Sequence, residues 1–398
     1  MIEWLSSFGQ TENGGVTRLL YSENWKRAQT ALKHKMEQIG LEPYFDSVGN
    51  LFGRLRGSDP ESKTILTGSH LDTVVDGGKY DGAYGIMASF LAVGKLIKLY
   101  GIPRKTIEVV SLCEEEGSRF PLAFWGSRNI QGVYSLTDVI TLKDAEGVRF
   151  LDAMKQAGFS PEAYTAPKRE DIERFIEVHI EQGSILEKSG NSLGIVSDIV
   201  GQRRYTVMVT GESNHAGTTP MNFRKDALCV MAEFVSYLTK KAAEMDPQLV
   251  ATVGKVTVKP NVPNVIAGEA EFSLDIRHHQ EQILNRYCSD IFAFLDKLTA
   301  ELEMSTTVTN WMNVKPVKMD RKMNEVLQKI AEKKKIATLE MVSGAGHDAQ
   351  VFGDMCPTSL LFVPSRNGIS HSPKEFTSVS DLEIAIEVLS ELLYQLAY

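Results

Sequence analysis

A glycine-rich segment between residues 68 and 85 contains the first candidate metal ligands. Its sequence is GSHLDTVVDGGKYDGAYG, in which His70 and Asp81 carry side chains that bind divalent cations. Asp72 lies two residues after His70 and could accept a hydrogen bond from the imidazole, which would fix the tautomer of a ligating histidine. A single histidine or aspartate is more often a surface or capping residue. The H-x-D pair and the further aspartate in one segment favour a metal site.

Three consecutive glutamates form a second group. The segment Cys-Glu-Glu-Glu-Gly spans residues 113–117 and directly follows an apolar run. Acidic runs are usually solvated turns. Carboxylates in a crevice repel each other, however, and a dication would relieve that repulsion. One carboxylate could then bind a metal ion while its neighbour acts as a general base.

Two more histidines extend the set of candidate ligands. His179 lies in the segment EVHIEQG and His371 lies in NGISHSPKE. A histidine in a strand is more often a satisfied core residue than a ligand. Three histidines, one aspartate able to bridge and one glutamate nevertheless suit a pair of borderline divalent ions such as Zn²⁺ or Mn²⁺.

Basic and polar residues elsewhere could recognise an anion. In the strand-like segment EFSLDIR the apolar residues alternate, so Arg277 and Asp275 point away from the core. Arg277 could bind a carboxylate through two hydrogen bonds, although a surface ion pair is the commoner use of such an arginine. His215 lies in the loop sequence ESNHAGTTPMNFR, where a functional and a solvated role are about equally expected.

Two further segments have weaker signals. Asn264 lies in NVPNVIAGE, where its residue type alone indicates a turn. The segment SGAGHD around Gly346 precedes a predicted helix and could offer backbone N–H groups to an anion. Its His347-Asp348 pair could equally cap that helix.

The elements that position these residues follow an α/β pattern. Strands are predicted at residues 63–67, 106–113 and 175–180, and a helix is predicted after Gly82. Open α/β sheets place their sites at the carboxyl ends of strands. The candidate ligands lie in or just after these strands, so we expect them to meet at one edge of the sheet.

The pattern changes at about Gly201. Strands at 204–210, 251–258 and 270–277, with helices near 225–245 and 280–302, are typical of a split βαβ arrangement. The βα alternation then resumes, with a helix from Arg321, strands at 338–342 and 359–363, and a last helix from Ser380. The sequence therefore predicts a discontinuous outer domain, residues 1–200 and 314–398, and an inserted domain, residues 201–313.

Length, charge and cysteine content exclude several classes. A chain of 398 residues exceeds what one hydrophobic core usually supports, so two domains are expected. The net charge of −8 argues against non-specific binding to nucleic acid or anionic membranes. The start of the chain does not resemble a signal peptide, and no run of roughly 18 apolar residues predicts a membrane span. Four scattered cysteines without a CxxC pair indicate reduced thiols of a cytoplasmic protein.

Taken together, these segments resemble the metal-dependent amidohydrolases of the M20 peptidase superfamily, in particular its hydantoinase/carbamoylase branch. The likeness runs from GGVTRLLYS to SPKEFTSVSDL, which is nearly the whole chain. Peptidases of the superfamily typically have an acidic residue where this chain has His179, which favours the carbamoylase branch. Four segments look closest to the bacterial members that act on allantoate: EEEGSRFPLAFWGSRNI, FIEVHIEQGSILE, VGQRRYTVMVTGESNHAGTTPM and SGAGHDAQVF.

The resemblance implies an α/β fold, with a mixed sheet flanked by helices in a di-metal catalytic domain. It also implies an inserted α+β, ferredoxin-like domain that acts as a lid and a dimerisation domain. Two divalent ions per subunit, Mn²⁺ or Zn²⁺, are implied. Asp81 would bridge them, His70 and His179 would complete one site, and Glu116 and His371 would complete the other.

The resemblance also implies the catalytic roles. Glu115 would be the general base and His215 would stabilise the developing oxyanion. The residues implied to hold the substrate are Gln182, His215, Asn264, Arg277 and the backbone around Gly346. In this branch, residues of the inserted domain are expected to reach an active site across the interface of a homodimer.

The implied reaction is hydrolysis of the ureido group of allantoate to ureidoglycine, ammonia and carbon dioxide, in purine degradation. One alternative keeps the chemistry and changes the substrate to an N-carbamoyl-L-amino acid or β-ureidopropionate. The segment FWGSRNI favours allantoate, but such motifs discriminate weakly between related substrates. Another alternative is a catalytically silent homologue with a binding or scaffold role. The presence of Glu115 and all five candidate ligands argues against it.

Overall fold

The computed structural model describes all residues from Met1 to Tyr398, and the chain divides into two units. The first unit consists of Met1–Ser197 and Lys318–Tyr398, and the second consists of Asp198–Val317. The expected inserted domain, residues 201–313, lies within the second unit. Its roles as a lid and in dimerisation remain predictions.

The secondary structure before residue 200 alternates strands and helices. The elements are α1 (Ile2–Ser6), α2 (Glu23–Gln38), β1 (Glu42–Phe45), β2 (Leu51–Leu55), β3 (Thr64–His70), α3 (Ala83–Tyr100), β4 (Ile107–Leu112), α4 (Trp125–Gln131), α5 (Phe150–Gln156), β5 (Ile172–Ile180), α6 (Ile185–Ser189) and β6 (Leu193–Ile199).

The second unit contains five strands and two long helices. They are β7 (Gly201–Thr210), α7 (Ala227–Met245), β8 (Val250–Thr252), β9 (Val256–Lys259), β10 (Glu269–His278), α8 (Glu281–Glu301) and β11 (Ser305–Val314). The remaining elements are β12 (Val317–Lys318), α9 (Arg321–Lys334), β13 (Thr338–Ser343), α10 (Asp348–Phe352), β14 (Thr358–Val363) and α11 (Val379–Ala397).

The first unit is built on a nine-stranded mixed sheet. Its strand order is β1-β2-β4-β3-β5-β14-β6-β12, and β13 pairs with β6. The four central strands, β4, β3, β5 and β14, are parallel to their neighbours in this group, and the flanking pairs β1/β2, β2/β4 and β6/β14 are antiparallel. The carboxyl ends of the four central strands therefore meet at one edge.

Burial explains why these segments form strands and helices. Every residue of β3, β4 and β14 is buried, as expected for central parallel strands covered on both faces. Helix α3 packs against β3 and α11. The predicted α/β fold with a mixed sheet flanked by helices is confirmed.

Helix α3 qualifies the expectation that no run of residues is long and apolar enough to span a membrane. It is 18 residues long with a mean hydropathy of 1.3, so by length and composition it could cross a membrane. However, 61% of this span is buried inside the structure, where it belongs to the main hydrophobic core. Its apolar composition is that of a core helix in a soluble protein.

The second unit has its own core and an antiparallel sheet. The strand order is β11-β7-β10-β8, and β9 also pairs with β10. Apolar residues of α7, α8, β7 and β10 form the core. Along β10 buried residues alternate with partly exposed ones, so one face of the sheet is covered by the core. The element order is that of a split βαβ arrangement.

The structure differs from the expected strands of this unit in two places. The strand expected at 251–258 is two short strands, β8 and β9, which pair with different parts of β10. Strand β11 was not predicted. Most of its residues are exposed and it lies at the edge of the sheet, so it has no apolar alternation to reveal it.

Candidate metal and hydrolytic site

The carboxyl edge of the central sheet brings four separated segments together. His70 is the last residue of β3, and His179 is the penultimate residue of β5. Glu115 and Glu116 lie three and four residues after the end of β4, and His371 lies in the connection after β14. All four segments come from parallel neighbours in the sheet, which is why residues as distant in the chain as His70 and His371 meet here.

Asp81 lies at the centre of this group, in the connection between β3 and α3. Its Oδ1 atom is 3.3 Å from Nε2 of His70 and 3.2 Å from Nε2 of His179. Its Oδ2 atom is 3.3 Å from Nε2 of His371, which is 3.4 Å from Oε1 of Glu116. The two oxygens of one buried carboxylate thus face two different sets of ligand atoms.

The candidate ligands form three groups that share members, and within each group the ligand atoms lie within 4.8 Å of one another. The groups are His70, Asp81 and His179; Asp81, Glu116 and His371; and His70, Glu115 and Glu116. Nitrogen and carboxylate oxygen donors of this kind suit Zn²⁺ or Mn²⁺. Each group could hold a divalent metal ion, and Asp81 belongs to two of them.

Hydrogen bonds of the imidazoles test whether a cation fits. Nδ1 of His70 lies 3.0 Å from the backbone carbonyl of Asp72, and Nδ1 of His179 lies 2.9 Å from that of Ile180. In each ring Nδ1 therefore carries a proton and donates it, and Nε2 is the nitrogen directed at the Asp81 carboxylate. The backbone N–H of Gly82 donates to Nε2 of His179 at 3.1 Å, which fits an unprotonated Nε2. Nε2 of each ring and the Asp81 carboxylate need a proton or a metal cation between them.

The carboxylates of the group also need compensating charge. Burial raises the pKa of Glu116 to about 7, and the nearby Asp81 adds to this effect. Burial likewise raises the pKa of Glu115 well above its usual range. Burial works in the same direction on Asp81, but the histidines around it hold its pKa well below the usual range. Oε1 of Glu116 is buried and makes no hydrogen bond. Bound cations would stabilise all three as carboxylates.

Asp72 contacts this group in two ways. Its backbone carbonyl, rather than its carboxylate, accepts the hydrogen bond of His70, since its Oδ1 atom is 3.7 Å from Nδ1. The carboxylate instead accepts the backbone N–H groups of Glu115, at 3.1 and 3.2 Å, and of Glu116, at 3.0 Å. Asp72 thus connects the segment of His70 to the turn that carries both glutamates.

Two expected substrate residues of the first unit lie beside the group. Gln182 has a positive φ of 59° and donates from Nε2 to Oδ2 of Asp81 at 2.8 Å. A Cβ atom at Gly346 would lie 3.2 Å from the ring of Phe124 and 3.9 Å from Oε1 of Glu115. The loop of Gly346 therefore approaches the expected general base closely, and a larger residue would displace the Phe124 ring.

His215 and Asn264 lie in the second unit and are brought together there. The backbone N–H of Ala216 donates to the carbonyl of Asn264 at 3.0 Å. The backbones of His215 and Val265 pair as an isolated antiparallel β-bridge. Nδ1 of His215 accepts the N–H groups of Gly217 and Thr218 at 3.0 and 3.2 Å. These bonds place the proton of the neutral ring on Nε2, which is left as a hydrogen-bond donor.

Arg277 lies on β10 in the same unit and lines a cavity of about 500 Å³ together with Arg204 and Trp311. Its Nε and Nη2 atoms contact the two oxygens of Asp275 at 2.8 and 3.0 Å, and Arg204 contacts Asp275 at 2.8 Å. The sequence allowed two roles for Arg277, an ion pair within the protein or recognition of a substrate carboxylate. Two arginines share one aspartate here, so the cavity wall has an excess positive charge.

Two buried carboxylates that hold the ligand segments were missed in the sequence. Glu177 accepts hydrogen bonds from Ser69 at 2.6 Å and from the backbone N–H of Ala349 at 2.8 Å, and so connects β3, β5 and α10. Strand alternation places it on the same face as His179, and that was the available signal. Glu375, four residues after His371, had no local signal.

The fold and the site define the class of the protein: an α/β metallohydrolase with a histidine–carboxylate group at the carboxyl edge of a mixed sheet. Residues 66–395 match Peptidase family M20/M25/M40, and the chain belongs to this family. The resemblance predicted from the sequence motifs is confirmed.

Relatives of known function match along the full chain. Allantoate amidohydrolase of Bacillus subtilis (strain 168) is 48% identical over 100% of this chain and 96% of its own length. Allantoate amidohydrolase of Escherichia coli (strain K12) is 46% identical over 100% of this chain and 97% of its own length. An amidase of the hydantoinase/carbamoylase family from Burkholderia multivorans has a solved structure that superimposes with a TM-score of 0.93, at 31% identity, over 99% of this chain and 95% of that one.

Proposed function

We propose that the protein is an allantoate amidohydrolase that hydrolyses the ureido group of allantoate to ureidoglycine, ammonia and carbon dioxide. The position of Asp81 between two sets of ligand atoms, with Glu115 beside them, carries the proposed chemistry. The choice of substrate is supported by the 48% and 46% identity to two allantoate amidohydrolases over the full chain.

The proposed cofactor is a pair of Mn²⁺ or Zn²⁺ ions. His70 and His179 would hold one ion, Glu116 and His371 would hold the other, and Asp81 would contact both. Bound ions of this kind supply Lewis acidity, which polarises a carbonyl group and makes water nucleophilic near neutral pH.

Glu115 is the proposed general base. As water adds to the ureido carbonyl, Glu115 takes the proton that the water loses. It then gives this proton to the terminal nitrogen, the C–N bond breaks and ammonia leaves. The remaining carbamate breaks down to ureidoglycine and carbon dioxide. Burial raises the pKa of Glu115, and a raised pKa increases the affinity of a carboxylate for the proton it must accept.

The second unit is proposed to bind and orient the substrate. The Nε2–H of His215 would donate to the carbonyl oxygen as negative charge develops on it. Arg277 would bind the carboxylate of allantoate, and Asn264, Gln182 and the backbone at Gly346 would hold the ureido groups. We also propose that the protein is a cytoplasmic homodimer, in which the second unit of one subunit serves the site of its partner.

Substrate competition tests the proposed reaction. Protein reconstituted with Mn²⁺ or Zn²⁺ would be offered allantoate, several N-carbamoyl-L-amino acids and β-ureidopropionate, and ammonia release would give kcat/KM for each. Allantoate is expected to have the highest value. If another compound has a higher kcat/KM, that compound replaces allantoate as the proposed substrate. If the metal-loaded protein turns over none of these compounds, the proposed hydrolase activity is wrong.

Mixing inactive variants tests the proposed dimer. Glu115→Gln and Arg277→Ala subunits would be mixed and allowed to exchange. If the second unit serves the partner's site, each mixed dimer contains one site free of both defects, and about a quarter of the wild-type activity returns. If each subunit uses its own second unit, every site keeps one defect and no activity returns.

A further inference from the structure

We propose that Glu375 is a positioning residue that fixes Asp81 and His371 relative to each other and so sets the affinity of this group for divalent cations. The inference deepens the proposed function, because it assumes that Asp81 and His371 are metal ligands. Glu375 itself would not touch the ions or the substrate.

One oxygen of Glu375 holds the segment that carries Asp81. Oε1 accepts the backbone N–H groups of Tyr80 at 2.8 Å and of Asp81 at 3.2 Å. The residue is only 3% exposed, so these bonds are shielded from water. Two amides bound to one oxygen fix the backbone at the point from which the Asp81 side chain projects.

The other oxygen of Glu375 holds the segment that carries His371. Oε2 lies 2.9 Å from the hydroxyl of Ser370, the residue immediately before His371. The same hydroxyl lies 3.0 Å from Oδ2 of Asp81, the oxygen that faces His371. The Ser370 hydroxyl therefore lies between the carboxylates of Glu375 and Asp81, and its single proton is donated to one of them at a time. His371 has a positive φ of 52°, a strained conformation that its surroundings must maintain.

The sequence leaves room for this contact at Gly78. A Cβ atom at this position would lie 2.0 Å from the carboxyl group of Glu375, which is a severe overlap. Gly78 and Glu375 are thus complementary although they are distant in the chain. The glycine in the segment of Asp81 is needed to admit a carboxylate from the segment of His371.

Residues that orient metal ligands affect affinity without touching the ion. Loss of such a partner typically costs about 10- to 100-fold in metal affinity or activity. Glu375→Ala removes the acceptor for both amides and for Ser370, so we expect the dissociation constant of the ion held by Asp81 and His371 to rise by about this factor. Glu375→Gln keeps one oxygen as the acceptor for the two amides and places an N–H₂ group at Ser370, so a smaller rise is expected.

The experiment measures metal binding by the full-length apo protein, independently of catalysis. Mn²⁺ and Zn²⁺ dissociation constants and stoichiometry would be obtained by competition with a chromogenic chelator, for wild type, Glu375→Ala, Glu375→Gln and Ser370→Ala. Lys374→Ala, an exposed neighbour, is the matched control and should bind like wild type. Circular dichroism and the melting temperature of the apo proteins would show that each variant is folded.

The outcomes separate a positioning role from a merely structural one. The proposal is supported if folded Glu375→Ala has a higher dissociation constant for the ion held by Asp81 and His371. Its kcat should be restored when the metal concentration is raised to saturation. A lower melting temperature with unchanged metal affinity would overturn it. If Glu375→Ala does not fold, Glu375→Gln and Ser370→Ala decide, and wild-type affinity in both would equally overturn it. If wild-type protein binds no metal, the proposed function itself fails.

Discussion

The Nε2 atom of His179 lies 3.2 Å from Oδ1 of Asp81, with both side chains buried. The opposite nitrogen of the ring, Nδ1, faces the carbonyl of Ile180 at 2.9 Å, so Nε2 is the ring nitrogen directed at the carboxylate. Nε2 of His179 and Oδ1 of Asp81 need a proton or a metal cation between them at this distance. A divalent ion here would contact both atoms, so the pair supports the proposed metal centre.

Metal removal is expected to abolish activity and lower stability. Dialysis against a chelator would leave Asp81, Glu115 and Glu116 without the charge of the bound ions. Ions that bind only the folded state stabilise it, by about 2.7 kcal/mol at a concentration 100 times the dissociation constant. The measurements are ammonia release from allantoate and the melting temperature, before and after addition of Mn²⁺ or Zn²⁺. Full activity in metal-free protein would exclude the proposed chemistry.

Glu115→Gln is expected to retain metal and lose turnover. The amide keeps the shape of the side chain but cannot accept the proton of the attacking water, and general-base catalysis typically contributes about 10²- to 10⁴-fold. Metal analysis and kcat on allantoate would be measured on the same sample. Activity near that of wild type with metals bound would remove Glu115 from this role.

Arg277→Ala is expected to weaken substrates that carry a carboxylate. A hydrogen bond to a charged group contributes about 1.5–3 kcal/mol, which corresponds to roughly 10- to 150-fold in kcat/KM. The variant would be assayed on allantoate and on an uncharged ureide, with Arg286→Ala, an exposed arginine of α8, as the control. An equal loss on both substrates would contradict a carboxylate-binding role.

His215→Ala is expected to lower kcat on allantoate while metal binding stays unchanged. The lost Nε2–H donor would leave the developing oxyanion with fewer partners, and loss of one such donor typically costs about 10²- to 10³-fold. The control is His34→Ala, an exposed histidine of α2 that pairs with Glu37. A change in KM alone, with kcat intact, would assign His215 to binding instead.

The sequence indicated most of the candidate ligands but few of the residues that hold those ligands in place. Strand alternation and the acidic run placed candidate ligands at strand ends, and the structure brings those side chains together. Which of three glutamates faces the ligands was not readable from the run itself. Glu114 has a positive φ of 56° and belongs to none of the ligand groups, and Asp72 holds the other two glutamates through their backbone N–H groups.

By itself the sequence determined the kinds of ligand, the α/β order of the elements and the family, because these depend on local periodicity and motifs. The tertiary structure decided how the ligands are held. Glu375 and Asp81 are 294 positions apart, and their hydrogen bond exists only because both loops meet at the same edge of the sheet. Such contacts depend on how distant segments pack against each other, and the spacing of residues along the chain does not reveal that packing.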